Sequence, residues 1–308
     1  MPDSPGVPLQ RPPSPSRIRD ALLGGRRNLH ADRDLADRLE LRFPGTAQAA
    51  AEARAFTGRA VTWCAKQGIA QYIVPEPGLP LPGGAADAAR AVIPGARVAY
   101  ACTDPSEAAY ARAEAARDDA TAVVRDVGAD SPACLLADPA LRAVIDLGEP
   151  AAAVLAMIAH LMPGGQAAGM VAAFAARLAP GSAVVMSAWV PHPGAAAERL
   201  IAACQPLRVF RHAVEDIEAW LGGPGLDVVK PGVTDVRGWC AGIPEPRLRH
   251  RPVGMTAGVV ACVPSGRLPG NAGCFDSPLN SCHPIAETAG NRPRQEQPAG
   301  TARPVDEL

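Results

Sequence analysis

Lysine is almost missing from this chain: only Lys66 and Lys230 occur among its 30 basic residues, the rest being arginine. With Ala, Gly and Pro abundant, that bias reflects GC-rich coding and says nothing of function. Net charge is missing too. The 30 basic residues face 31 acidic ones for a formal charge of -1, which argues against a general electrostatic hold on nucleic acid or on an anionic membrane. No apolar run approaches the roughly 20 residues of a membrane span. The leading MPDSPGVPLQRPPSPSR lacks the apolar core of a secretory signal, so a soluble, cytoplasmic protein is expected. The eight cysteines (Cys64, Cys102, Cys134, Cys204, Cys240, Cys262, Cys274 and Cys282) form no CxxC pair, which fits neither a zinc site nor a dense disulfide scaffold and leaves reduced, structural thiols. Aromatic residues make up only 4%, so the core must be built from Ala, Val, Leu and Ile. What is present is ordinary for a globular protein: 308 residues, 48% hydrophobic and 20% charged, enough for one large domain or two small ones.

Residues 1–13 are Pro-rich and polar, and residues 265–308 lack periodic apolar positions, so both ends are expected to be disordered. Residues 14–69 read as a helical lead-in. Ser14-Pro15 is an N-cap followed by Pro at the first helical position, Leu35 and Leu39 share a helical face, and Phe56, Ala60 and Trp63 mark a helix over 47–67 that stops at Gly68. From residue 70 to 264 short apolar runs alternate with helical stretches, the pattern of βαβ units and a parallel sheet. Strands are expected at 70–74, 97–102, 121–124, 151–158 and 182–188, with helices at 105–117, 166–178, 195–203 and 214–221. The first of these helices opens on Asp104-Pro105-Ser106-Glu107, with Asp as cap and Glu in the capping-box position. The runs 226–229 and 256–263 have no helix between them and are expected to pair as an antiparallel edge. Such a Rossmann-like α/β sheet binds its ligand outside the carboxyl ends of its strands. The residues by themselves reach a nucleotide-like or small-molecule site there.

The block PSPSRIRDALLGGRRNLHADRDLADRL opening at Pro13, with Arg17, Ile18, Leu22, Leu23, Gly24, Gly25, Asn28, Ala31, Asp32 and Arg33 at matching places, resembles the opening motif of a family of bacterial S-adenosylmethionine-dependent methyltransferases. The resemblance continues in order through Gly78-Leu79-Pro80, Pro94-Gly95-Ala96-Arg97-Val98, Asp104-Pro105, Leu136-Ala137-Asp138-Pro139, His160, Leu178-Ala179-Pro180-Gly181-Ser182 and Pro224-Gly225-Leu226. It implies a class I methyltransferase fold: a Rossmann-like sheet with helices on both faces, a helical N-terminal lead-in, an antiparallel C-terminal edge, and S-adenosylmethionine as cofactor.

Departures fall where that cofactor would be held. The resemblance calls for an acidic residue and Gly-x-Gly after the first strand, so that backbone N–H groups can meet the cofactor carboxylate. Here Val74 stands at the acidic position, Glu76 at the first glycine, and only Gly78 is kept, while Pro75 and Pro77 each lack an N–H. At the end of the second strand an acid that grips the ribose hydroxyls is replaced by Cys102, a weak donor and poor acceptor. Asp104 is retained but is also explained as a helix cap, and Asp126 aligns with a residue that meets the adenine amino group or is an exposed loop aspartate. His160, after the fourth strand, is the candidate base or acceptor-orienting group. Gly24, Gly25, Arg26 and Asn28 form a break between two lead-in helices, and the resemblance implies that this segment folds over the cofactor, where Arg26 could meet an anion. The family's aromatic positions in this segment are Arg19, Ala21 and Leu29 here. The run Arg247-Leu248-Arg249-His250-Arg251 reads as a solvated loop.

Two functions follow: methyl transfer from S-adenosylmethionine to a small molecule, with weakened cofactor affinity, or a catalytically inactive relative kept as a binding or scaffold module. A nicotinamide oxidoreductase would need GxGxxG after the first strand, and residues 74–84 hold none. The acceptor and the oligomeric state are not legible.

Overall fold

The computed structural model describes residues 11–79, 83–117, 120–125, 131–239 and 253–265. Three helices lead in: α1 (Pro15–Leu22), α2 (His30–Arg42) and α3 (Thr46–Lys66). The Ser14 hydroxyl accepts from the Arg17 N–H at 3.3 Å to cap α1, and Gly68, at φ +89°, ends α3 as expected.

The sheet then builds in alternation: β1 (Gln71–Pro75), α4 (Ala85–Arg90), β2 (Arg97–Cys102), α5 (Pro105–Ala115), β3 (Thr121–Arg125), α6 (Pro132–Ala137), α7 (Pro139–Val144), β4 (Ala152–Ala156), α8 (Gly164–Arg177), β5 (Ala183–Pro191), α9 (Ala195–Ala203), α10 (Val214–Gly222), β6 (Asp227–Val228), β7 (Thr234–Asp235) and β8 (Gly254–Cys262). Strand order is β3-β2-β1-β4-β5-β8-β6, with β7 beside β8. The first five strands are parallel; β8 runs antiparallel to β5, β6 and β7, the edge expected from 226–229 and 256–263.

β1 is buried at every position because helices cover both faces. On one face lie Phe174, Met170 and Trp220; on the other, α3 brings Phe56 and Trp63 against Trp239, the Phe56 and Trp239 rings meeting edge to face at 5.4 Å. Gly258 makes this fit possible, since a Cβ there would stand 2.8 Å from the Phe56 ring. Between the aromatic anchors the sheet is filled by small residues such as Ala99, Ala101 and Ala153, as the composition requires. A third cluster, with Ile18, Leu35, Leu39, Phe43 and Cys204, fastens the lead-in to the end of α9.

One expectation needs revision, and three helices are added. The fourth strand is shorter than 151–158, because Met157 turns the chain at φ +57° and residues 159–161 close a 3₁₀ turn. Helices α4, α6 and α7, six residues each, did not register as periodic patterns. Asp126, the basic run at 247–251, Cys240, Cys274 and Cys282, and most of both termini lie outside the described residues. Cys64, Cys102, Cys204 and Cys262 are buried thiols and Cys134 is an exposed one. Among the described residues no helix is long and apolar enough to cross a membrane.

Candidate cofactor and acceptor cleft

Strand order reverses between β1, which continues to β2 on one side, and β4 on its other side. At such a switch point the loops leaving two parallel strands part and open a crevice. A cavity of about 270 Å³ lies there, roofed by α1 and walled by α3; Arg19, Arg54, Glu76, Gly78, His160 and Trp189 all face it.

The loop after β1 carries the strongest backbone signal. Glu76 sits at φ +48° and Gly78 at φ +81°, the left-handed region that disfavours any residue with a Cβ. Glu76 is held there at both ends. Its N–H donates to the Ala101 carbonyl at 2.7 Å, and its Oε1 accepts from the Thr103 hydroxyl at 2.7 Å and the Thr103 N–H at 3.3 Å. A carboxylate from the first loop is thereby carried to the carboxyl end of β2.

Behind it, Glu107 is buried, with Oε1 accepting from the Ser16 hydroxyl and Oε2 without a partner among the described residues. Burial, then the charge of Glu76, raise its pKa to about 8. Glu107 does not close the expected capping box. Asp104 instead caps α5 through the Ser106 N–H at 2.7 Å and pairs with Arg17 at 3.1 Å. Cys102 lies behind the cavity wall, 1% exposed, and burial pushes its thiol far up, aided by the charges of Glu107, Glu76 and Asp104.

His160 faces the cavity from the 3₁₀ turn. Its Nδ1 accepts from the Trp189 N–H at 3.5 Å, which leaves the ring proton on Nε2. Burial, then Arg19 and His212, lower its pKa to about 3, so the ring is neutral at physiological pH.

Gly24, Gly25, Arg26 and Asn28 are not on the cavity wall. They build the α1–α2 turn: Asn28 Nδ2 donates to Asp20 Oδ2 at 2.7 Å and to the Gly25 carbonyl at 2.9 Å, while Arg26 is exposed. The lead-in does cover the cavity, but through Ser16, Arg19, Leu22 and Leu23. Arg19, at one of the family's aromatic positions, faces the cavity, and its departure from the aromatic pattern is the sequence signal for that placement.

The chain matches the family described as S-adenosyl methyltransferase over residues 7–263. The chain belongs to that family. Among solved structures it is similar to a proposed methyltransferase from Thermobifida fusca YX, with 30% identity and a TM-score of 0.78, the match covering 85% of this chain and 98% of that one. It is also similar in fold to a DUF574 family protein from Streptomyces avermitilis MA-4680, at 24% identity and a TM-score of 0.71 over 81% of this chain and 97% of that one. No curated protein matches.

The methyltransferase family's cofactor, S-adenosylmethionine, carries a carboxylate, an ammonium, a sulfonium and a ribose diol. The cleft fits that mixture: it is lined by cationic and anionic side chains and holds a positive-φ glycine where backbone can approach closely.

Proposed function

We propose that this chain transfers the methyl group of S-adenosylmethionine to a small molecule bound in the same cleft. The observation that carries this reading is the placement of Gly78, Glu76 and His160 around one roofed cavity at the β1/β4 switch point. The bound cofactor supplies an electrophilic methyl on sulfur, and displacement there needs alignment of the acceptor and exclusion of water more than acid or base chemistry.

Each residue then has a physical task. Gly78 lets the ligand approach the loop backbone. Glu76, anchored by Thr103 at the end of β2, offers its carboxylate to the ribose hydroxyls, the work that Cys102 cannot do. Asp126 is assigned to the adenine amino group. His160, neutral and with its proton on Nε2, donates a hydrogen bond that orients the acceptor; with its pKa at about 3 it is a poor base at neutral pH. The roof formed by α1 covers part of the cleft and favours a small acceptor over a macromolecular one.

A second reading has its own observation. Pro75 and Pro77 offer no N–H and the Glu76 N–H is spent on Ala101, which suits a relative that has given up the cofactor. Calorimetric titration with S-adenosylmethionine and S-adenosylhomocysteine separates the two. Micromolar binding is expected, and the absence of binding at millimolar ligand would establish the inactive relative instead.

A further inference from the structure

Arg19 reaches from α1 into the cleft, half-buried, and among the described residues its guanidinium makes no hydrogen bond and no ion pair. Burial lowers its pKa, against the opposing charges of Glu107 and Glu76. A guanidinium is a planar fork of N–H donors with a fixed charge, and one that faces a cavity without a protein partner is open to an acceptor on a ligand.

Its position names the kind of ligand. The Arg19 Cζ lies 3.4 Å from where a Cβ on Gly78 would stand, so the guanidinium rests against the loop that would meet the amino-acid end of the cofactor. That loop is short of donors. Pro75 and Pro77 have none, the Glu76 N–H is bonded to Ala101, and of residues 75–78 only Gly78 keeps an amide for a ligand. The free cation therefore stands where the amides are missing.

We infer that Arg19 binds the α-carboxylate of the cofactor's methionine moiety, replacing the backbone donors that the proline-flanked loop lost. The inference rests on the cofactor reading above. Bidentate guanidinium–carboxylate recognition suits the geometry, because one flat group lies along the loop and offers two parallel N–H bonds to one carboxylate.

The experiment titrates wild type, Arg19→Met, Arg19→Gln and Arg19→Lys with S-adenosylhomocysteine and with its decarboxylated analogue, in which an aminopropyl group replaces the aminobutyrate. Circular dichroism and the thermal midpoint establish folding of each variant; Arg19→Gln or Arg19→Lys serves if Arg19→Met does not fold. The expected result is that Arg19→Met and Arg19→Gln bind S-adenosylhomocysteine roughly 10- to 100-fold more weakly, bind the decarboxylated analogue as wild type does, and that Arg19→Lys recovers part of the loss. Equal weakening of both ligands, or of neither, overturns the inference, and assigns Arg19 to the acceptor or to packing. If wild type binds neither ligand, the cofactor reading itself fails and this inference with it.

Discussion

Glu107 faces Glu76 beneath the cleft, and among the described residues its Oε2 has no donor to accept from, so the pair is satisfied only when Glu107 carries a proton to share. That ties stability to pH with a definite sign. Glu107 ordinarily titrates at 4.5 and is raised to about 8 in the folded chain. Between those values the unfolded chain has released the proton and the folded chain has not, so stability falls as pH rises, and the loss is complete above about 8. Thermal midpoints of wild type and Glu107→Gln between pH 6.5 and 9 should diverge, wild type dropping by several degrees relative to the amide. Parallel curves would mean that Glu107 is ionised throughout.

His160 acts with the opposite sign. Its pKa falls from 6.5 to about 3 on folding, so between those values only the unfolded chain binds the proton and stability is lost as pH falls. His160→Gln, which keeps an N–H donor, should remove that acid sensitivity. For turnover, His160→Ala is expected to cost about tenfold, the worth of one orienting hydrogen bond, with S-adenosylhomocysteine affinity unchanged and partial recovery in His160→Gln. Turnover with no limb near pH 6.5 is part of the expectation. A limb there that disappears in His160→Ala would show that the imidazole is a base after all.

Repairing the cofactor motif residue by residue should fail in an informative way. Cys102 lies within reach of Glu107, Glu76 and Asp104, and a fourth carboxylate at that buried site would meet repulsion as well as desolvation. Cys102→Asp is expected to destabilise the protein by about 3 kcal/mol with no gain in cofactor affinity. Adding Glu76→Gly relieves both the charge and the left-handed strain at φ +48°, and the double variant should recover much of that stability. Urea denaturation and titration of both variants decide it: if the single variant binds more tightly, Glu76 is not the ribose partner.

Much of the scaffold was legible. β2 falls at 97–102 as its apolar run indicates, and α5 starts where Asp104-Pro105 places it. The carboxyl-end rule for parallel strands was enough to bring Gly78 and His160 to one cavity. What escaped depends on distance in the chain. Glu107 reads as the third residue of a capping box, yet its side chain turns to Ser16, a contact no local pattern encodes. Arg19 looks like a lost aromatic until α1 is laid over Gly78. Conversely, Gly24, Gly25 and Asn28 belong to a local turn, and their motif reports that turn's backbone.

The helices on either side of that turn are tied together by one ion network, which provides a final expectation. Asp32, fully buried, accepts from Arg17 Nε at 2.7 Å, from the Leu29 N–H at 2.8 Å and from the Ser14 N–H at 3.0 Å, while Arg17 also reaches Asp104 at 3.1 Å. One guanidinium therefore joins the start of α1, the start of α2 and the cap of α5, the three elements that hold the roof over the cleft. Arg17→Met strands a buried carboxylate and should cost about 3 kcal/mol or more, with faster proteolysis within residues 14–45. Arg33→Met is the control, because its exposed guanidinium bonds only Asn28 among the described residues and its loss should shift the thermal midpoint little. Equal effects from the two variants would mean that α1 is held by the apolar cluster around Ile18 and Leu35, and that the network only orients it.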